Sequence, residues 1–525
     1  MRFAGSALGL VAALAALIVG FTHHGRRHSC SVASLACLAE RPGGIYVAQA
    51  PRGRGTGARC ADAHGIDWLD SPAAWSRRRG RVHPGSVVHL CGTITSTLRI
   101  RGAGAPGLPV TIVFDPGAKL SQPVCDPCLQ ADGARYLTVY GWHGGTIEST
   151  EDGSTLAHHT PAVGIDAIGC RACTFADLTI ANMYDHTSPS DYSIDQTQDN
   201  AIRFSGSDVT IAGNRIHDVG WALYAIWRDG DGRVRIFGNR IWRVDHGFAS
   251  TAGFAGGSIG PIYFYDNWVG DFANWDTFGD AYHHDGIHCY TADGVGTAAH
   301  YSGLYIYDNR FGGSVGADAT ADIFIEGAPR HDTQDTPCAD AGSRVYIFNN
   351  VLTSTDRVTD NAYLSDSAGG GGVYNNTVVG HDNRTSLGGC GGYGDQPPGG
   401  RVAFENNVLS TCDNLMNGAS QGDFLAGSPD YDVYADGGVN SFVCNGRFFP
   451  FSRFRGWRAC IGADRHSRAV RSARLASDGA PEQGSPVMGA GVNLTSLCHG
   501  PLVPLCRTIT GRQRPRRGPW NAGAY

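Results

Sequence analysis

The sequence predicts an all-β solenoid, a single-stranded parallel β-helix, on three observations. First, one phrase recurs seven times: VTIAGNRI (209–216), VRIFGNRI (234–241), IYFYDNWV (262–269), LYIYDNRF (304–311), VYIFNNVL (345–352), GVYNNTVV (372–379) and VAFENNVL (402–409). Second, apolar residues alternate within each copy, which makes each unit β rather than helical. Third, another short β-like run precedes each copy, such as GIDAI (164–168), AIRFS (201–205), LYAIW (223–227), GIHCY (286–290) and IFIE (323–326). A strand–turn–strand unit of this kind cannot bury its apolar face alone, so the copies must stack.

Taken in chain order, residues 1–40 open with an apolar run, Phe3 to Phe21, behind Arg2. That run reads as a secretory signal, and it is long enough to serve as a membrane anchor. Either way the body is exported, secreted or held at the outer face of the membrane by this segment. Residues 44–440 form the β-helix with its N-terminal cap, about ten to twelve coils with insertions emerging as loops. Earlier runs VVHL (87–90), VTIVF (110–114) and LTVY (137–140) start the stack. Residues 441–525 form a Gly/Pro/Arg-rich tail with four cysteines that folds back on the body. The 74 glycines suit tight corners.

The aligned asparagines are Asn214, Asn239, Asn267, Asn309, Asn350, Asn376 and Asn407. Asn at a fixed corner suits a left-handed backbone position, and stacked amides can hydrogen-bond from coil to coil. Sixteen cysteines in an exported chain imply disulfides. Local pairs are Cys60 with Cys91, Cys390 with Cys412, Cys444 with Cys460, and Cys498 with Cys506. Two CxxC pairs, Cys125/Cys128 and Cys170/Cys173, suit cross-coil disulfides, with a zinc site as the alternative.

Residues 141–440 carry 38 Asp or Glu against 14 Arg and no Lys, an excess of 38 − 14 = 24 negative charges. Such a surface repels polyanions and argues against nucleic acid, which needs a basic track. It permits calcium, whose ligands are oxygens, and it also serves simply as a soluble acidic face. A monomer is expected.

Chemistry is expected on the outward face of the first strand of each coil. If Ile165, Ile202 and Ile287 point inward, then Asp166, Arg203 and His288 point outward. The same register places Trp227 after Ile226 and Glu326 after Ile325. The densest local constellation is Asp280-Ala-Tyr282-His283-His284-Asp285-Gly-Ile-His288-Cys-Tyr290. Histidine serves as acid or base near neutrality, Asp orients it, and Tyr donates a proton. His and Asp are also metal ligands, but no metal set is assigned. Asp195, Asp199, Asp322 and Asp360 lie at comparable places in their coils, as a carboxylate column or as turn caps.

The stacked repeats, the Tyr46-Val47-Ala48 strand, the phrase PGSVVHLCGTI (84–94) and the closing phrases SPVMGAG (485–491) and GPWNAGAY (518–525) resemble secreted right-handed parallel β-helix proteins of the pectate-lyase-like superfamily. The resemblance implies cleavage of polysaccharides, often uronate-rich, by β-elimination or hydrolysis. The chain departs from the Lys-dependent lyases, because its one lysine, Lys119, is far from the stripe. It departs from the polygalacturonases, because HHDG (283–286) and DHG (245–247) stand in the wrong order without a paired Asp-Asp. Arg203 with Asp166 or Asp199 could imitate the pectate-lyase Arg base with calcium.

The expected function is therefore an exported polysaccharide lyase or glycoside hydrolase, with a non-catalytic glycan-binding module as the alternative. As a lyase, His284 or His288 is the base, Tyr282 the acid, and Arg203 neutralises a uronate. As a hydrolase, Asp285 and Glu326 form the carboxylate pair. Asp166, Trp227 and His283 join Arg203 in contacting the sugar.

Overall fold

The computed structural model describes residues 43–525 apart from 77–79, 143, 154–159, 185–198, 253–256, 274–283, 292–297, 317–318, 327–337, 355–361, 367–369, 381–388, 393–400, 413, 420 and 439. The expected signal or anchor at 1–40 lies outside the described residues. No described helix is long and apolar enough to cross a membrane.

The chain is predominantly β, and 36 strands join one hydrogen-bonded sheet. Its strands run in three parallel columns. One column holds the strand before each aligned Asn, for example Val234–Phe237, Ile262–Tyr265, Leu304–Tyr307 and Val345–Phe348. A second holds the strand after it, through Arg240–Ala252, Trp268–Gly270, Arg310–Gly313 and Val351–Ser354. The third runs through Val163–Ala176, Asn200–Ser207, Arg215–Trp227, Arg240–Ala252, His284–Thr291 and Ala319–Ile325. Each strand therefore pairs with its counterpart one repeat later, an arrangement that fits a parallel β-helix. Down the third column Ile165, Ile202, Leu223, Phe248, Ile287 and Ile323 share a register and are fully buried. Burying one such side chain stabilises by about 1.5–3 kcal/mol, so every added repeat extends one core.

The asparagines form a continuous ladder. Asn214 Nδ2 donates to Asn239 Oδ1 at 2.9 Å, and the same bond repeats through Asn267, Asn309, Asn350 and Asn376 to Asn407. Each acceptor oxygen also takes the backbone N–H of the preceding ladder Asn at 3.0 Å. The last amide donates to Asp432 Oδ1. The left-handed corner is one residue earlier than the sequence suggested. Gly213, Gly238, Asp266, Asp308, Asn349, Asn375 and Asn406 have φ between 54° and 68°. Glycine and short polar side chains tolerate that backbone, while the ladder Asn that follows aims its amide along the stack.

Seven disulfides join the described cysteines. The four predicted local pairs form. Each CxxC closes on itself, Cys125–Cys128 and Cys170–Cys173, rather than across coils. Their turns bring the two Cα atoms to 4.7 and 6.1 Å, inside disulfide reach. No thiolate remains in them for zinc. Cys289–Cys338 was not anticipated. This number of disulfides fits an extracellular protein. Near the C-terminus, Leu494, Leu502, Leu505 and Trp520 cover the stacked rings of Tyr305, Tyr307, Phe348 and Tyr374.

Candidate functional site

The outward row of the third column reads Asp166, Arg203, Tyr224, Ala249, His288 and Phe324, each opposite the next in register. Successive parallel strands lie about 4.8 Å apart, so these side chains form one file. Arg203 is already engaged: Nε donates to Asp166 Oδ1 at 3.2 Å and Nη2 to Oδ2. Ala249 leaves a gap. The Tyr290 hydroxyl donates across it to the Tyr224 hydroxyl at 3.3 Å, and Trp221 packs edge-on against both rings.

The next step of the file holds an imidazole cluster. His288 stacks on Phe324 (5.1 Å between ring centres) and on His246 (5.3 Å). His246 Nε2 lies 3.2 Å from His288 Nδ1 and 3.3 Å from Asp285 Oδ2. His246 Nδ1 lies 2.7 Å from Asp245 Oδ2, which also accepts the Trp221 indole N–H at 3.0 Å. The other oxygen of Asp245 lies 2.9 Å from His284 Nδ1. Asp285 Oδ1 accepts the Ala321 N–H at 3.0 Å. At the outer end, His288 Nε2 lies 3.5 Å from Glu326 Oε2. The Glu326 backbone is pinned on both sides, its N–H donating to Cys289 O and its carbonyl accepting the Cys338 N–H, across the Cys289–Cys338 disulfide.

Charge follows from these contacts. Burial alone would push Asp245 up, but His246 and His284 hold its carboxyl well below the usual range. Burial works against a charged His246, yet Asp245 and Asp285 raise the ring to about 10. His246 is thus an imidazolium at neutral pH, with an N–H on each nitrogen. Facing that donor, His288 Nδ1 is an acceptor, and a neutral His288 keeps its proton on Nε2, toward Glu326. Asp322 is the opposite case. It is fully buried, neither carboxyl oxygen has a hydrogen-bond partner, and burial followed by the Asp285 charge raises it to about 8.

Of the sequence-predicted residues, His284, Asp285, His288 and Glu326 come together here, and Asp166 and Arg203 lie four and three steps before His288 in the outward file. Tyr282 and His283 lie outside the described residues, as do Asp195 and Asp360. Asp285 and His284 are buried at 0% and 1% exposure, which corrects their placement as groups meeting substrate. The proposed Asp285–Glu326 pair therefore loses one member. Trp227 is corrected too. Leu223, Ala225 and Trp227 form the inward set, and Trp227 is 1% exposed with its indole N–H on Ser250 Oγ at 2.8 Å. Asp199 accepts the Ala162 N–H of the preceding repeat, and shares no register with Asp322. Sequence reasoning missed Asp245, His246, Trp221 and Tyr224. The DHG phrase at 245–247 was their visible signal.

No protein-family model and no curated protein matches the chain. Among solved structures it is similar to an alginate lyase from Paenibacillus sp. (13% identity, 64% of this chain and 95% of that one, TM-score 0.38). It is also similar to pectate lyase Pel9A (11%, 92% and 95%, 0.39) and to a GH136 lacto-N-biosidase from Eubacterium ramulus (11%, 77% and 65%, 0.44). All three scores fall below 0.5, and no residue role is carried over from these proteins.

Proposed function

We propose that the chain is an exported right-handed parallel β-helix of about ten to twelve coils that cleaves a polysaccharide on its outward file, with Glu326 as the proton-transferring group. The observation that carries this reading is the His288–Glu326 contact at 3.5 Å beside an aromatic wall. Glu326 is the partly exposed end of a chain of contacts that begins at buried Asp245. His288 Nε2 lies 3.5 Å from its carboxylate. General acid–base catalysis by such a group contributes about 10²–10⁴ in rate. Phe324, Tyr290 and Tyr224 supply flat apolar faces beside it, and ring faces of sugars stack on such surfaces.

Arg203 is neutralised by Asp166, so it offers hydrogen-bond donors rather than net positive charge to a substrate. Together with the acidic barrel this favours a neutral or sparsely charged glycan over a polyuronate. The test is a glycan panel read for new reducing ends and for the ultraviolet absorbance of unsaturated uronates. Turnover that disappears in Glu326→Gln supports the reading, and turnover that persists in that variant overturns it. A second reading, binding without cleavage, is favoured by the aromatic bridge over Ala249. It predicts glycan retention by the wild-type chain with neither product formed.

A further inference from the structure

We propose that His246 Nε2, His288 Nδ1 and Asp285 Oδ2 bind a zinc-class divalent ion, which displaces to solvent the proton that His246 Nε2 carries in the metal-free chain. These three atoms approach one another at 3.2, 3.3 and 3.6 Å. Ligands about 2.1 Å from a tetrahedral zinc stand roughly 3.4 Å apart, so the three atoms already trace one face of a coordination tetrahedron. A fourth position remains for water. Two nitrogens and one carboxylate oxygen suit zinc or a neighbouring transition metal. They do not suit calcium, which takes six to eight oxygens, so calcium, which the acidic balance permits, does not belong at this cluster.

The surroundings match what a metal-bound imidazole needs. A ligating histidine commonly gives its other nitrogen to a carboxylate, which fixes the ring. His246 Nδ1 does so to Asp245 at 2.7 Å. Asp245 is itself held by Trp221 and His284. Asp285 has one oxygen occupied by the Ala321 N–H, which leaves Oδ2 as a single donor directed at both imidazoles. His288 turns its far nitrogen to Glu326. Asp322 is fully buried one residue before Ile323, the register partner of Ile287, and neither of its oxygens has a hydrogen bond. His288 also explains the geometry: it lies one coil from His246 and three residues from Asp285, so the fold alone sets the spacing.

Binding itself stands on the geometry. Its consequence, a His288 ring fixed with Nε2 toward Glu326, rests on the function proposed above. The test uses the purified chain, stripped with chelator and dialysed against zinc, with bound metal counted by elemental analysis. One zinc per chain is expected, and cobalt(II) should give the intense visible absorption of a four-coordinate site. Asp285→Asn and His246→Gln should each weaken zinc by at least about 100-fold, and Asp245→Asn by about 10–100-fold. Glu326→Gln should keep full metal binding. Substoichiometric zinc with the cobalt spectrum of the free aquo ion overturns the site. So does stoichiometric zinc that is indifferent to all three variants, since the chain has 20 histidines that could hold it elsewhere. Zinc bound as predicted in a protein that turns over no glycan sinks the proposed function and leaves the metal site intact.

Discussion

The Asn corner and the imidazole row run down the same stack, yet they use repetition in opposite ways. At the corner the residue is identical in seven successive copies, and each amide is satisfied by the next. In the row Val163, Asn200, Trp221, His246, Asp285 and Ala321, all in register, no residue type occurs twice. A buried polar group is costly unless partnered. The corner meets that demand with one residue repeated, so its content is structural. The row meets it with unlike groups gathered at two adjacent rungs, which is what a chemical centre requires. Where a solenoid stops repeating itself is where its chemistry is to be sought.

The sharpest way to break this contrast is to strike each region once. Glu326→Gln should lower kcat by about 10²–10⁴, while its unfolding midpoint stays where it was, because the side chain is partly exposed and adds little to the core. Asn309→Ala should do the reverse. Asn309 Oδ1 accepts two bonds from Asn267, and its Nδ2 donates to Asn350 and to the Phe264 carbonyl. Stranding such groups costs about 1–3 kcal/mol each, so a loss of at least about 3 kcal/mol is expected in denaturant unfolding, with turnover per folded molecule unchanged. A ladder variant that lost activity without losing stability would erase the distinction.

Two buried carboxyls sharpen it further. Asp245 has two histidines and an indole N–H around it and stays ionised. At the end of the ladder, Asp464 accepts the Trp457 N–H at 2.7 Å and has no cation beside it among the contacts that set its charge. Burial, reinforced by Asp430, raises it to about 7. The folded chain then binds this proton more tightly than the unfolded chain, whose Asp titrates near 4. This group's contribution to stability is greatest below about pH 4 and declines as pH rises from about 4 to about 7. Melting temperatures measured across that window should show a decline that Asp464→Asn makes shallower. A wild-type curve that rises there relative to the variant would mean that the carboxyl is ionised in the fold.

The repeat, its strands and the ladder were legible because they recur, and recurrence needs no knowledge of distance. The cluster was half legible. His284, Asp285 and His288 lie within five residues, so their proximity is local. Asp245 and His246 meet them only through pairing one coil away, and the intervening insertion hides that register from the sequence. The corner assignment slipped by one residue because Gly, Asp and Asn all tolerate the left-handed backbone, and two such residues stand side by side at several corners, as in Asn349-Asn350.

Trp227 is the place where the alternation rule itself failed, and it gives the smallest and most discriminating test. In the run LYAIW both faces carry apolar residues, so an Ile-inward rule taken from GIDAI and AIRFS puts Ile226 inside. The chain instead places Leu223, Ala225 and Trp227 inside, where the indole meets Phe204 edge-on and donates to Ser250. Trp227→Phe keeps most of the ring volume and removes one hydrogen bond, for an expected cost of about 1 kcal/mol and no change in glycan affinity. Tyr290→Ala, two residues beyond His288 on the same strand, should weaken glycan binding by about 10-fold, since stacking on an aromatic face is worth on the order of 1 kcal/mol. If the two variants exchanged these effects, the inward and outward sets of Arg215–Trp227 and His284–Thr291 would have to be reversed, and with them the position of every side chain in the file.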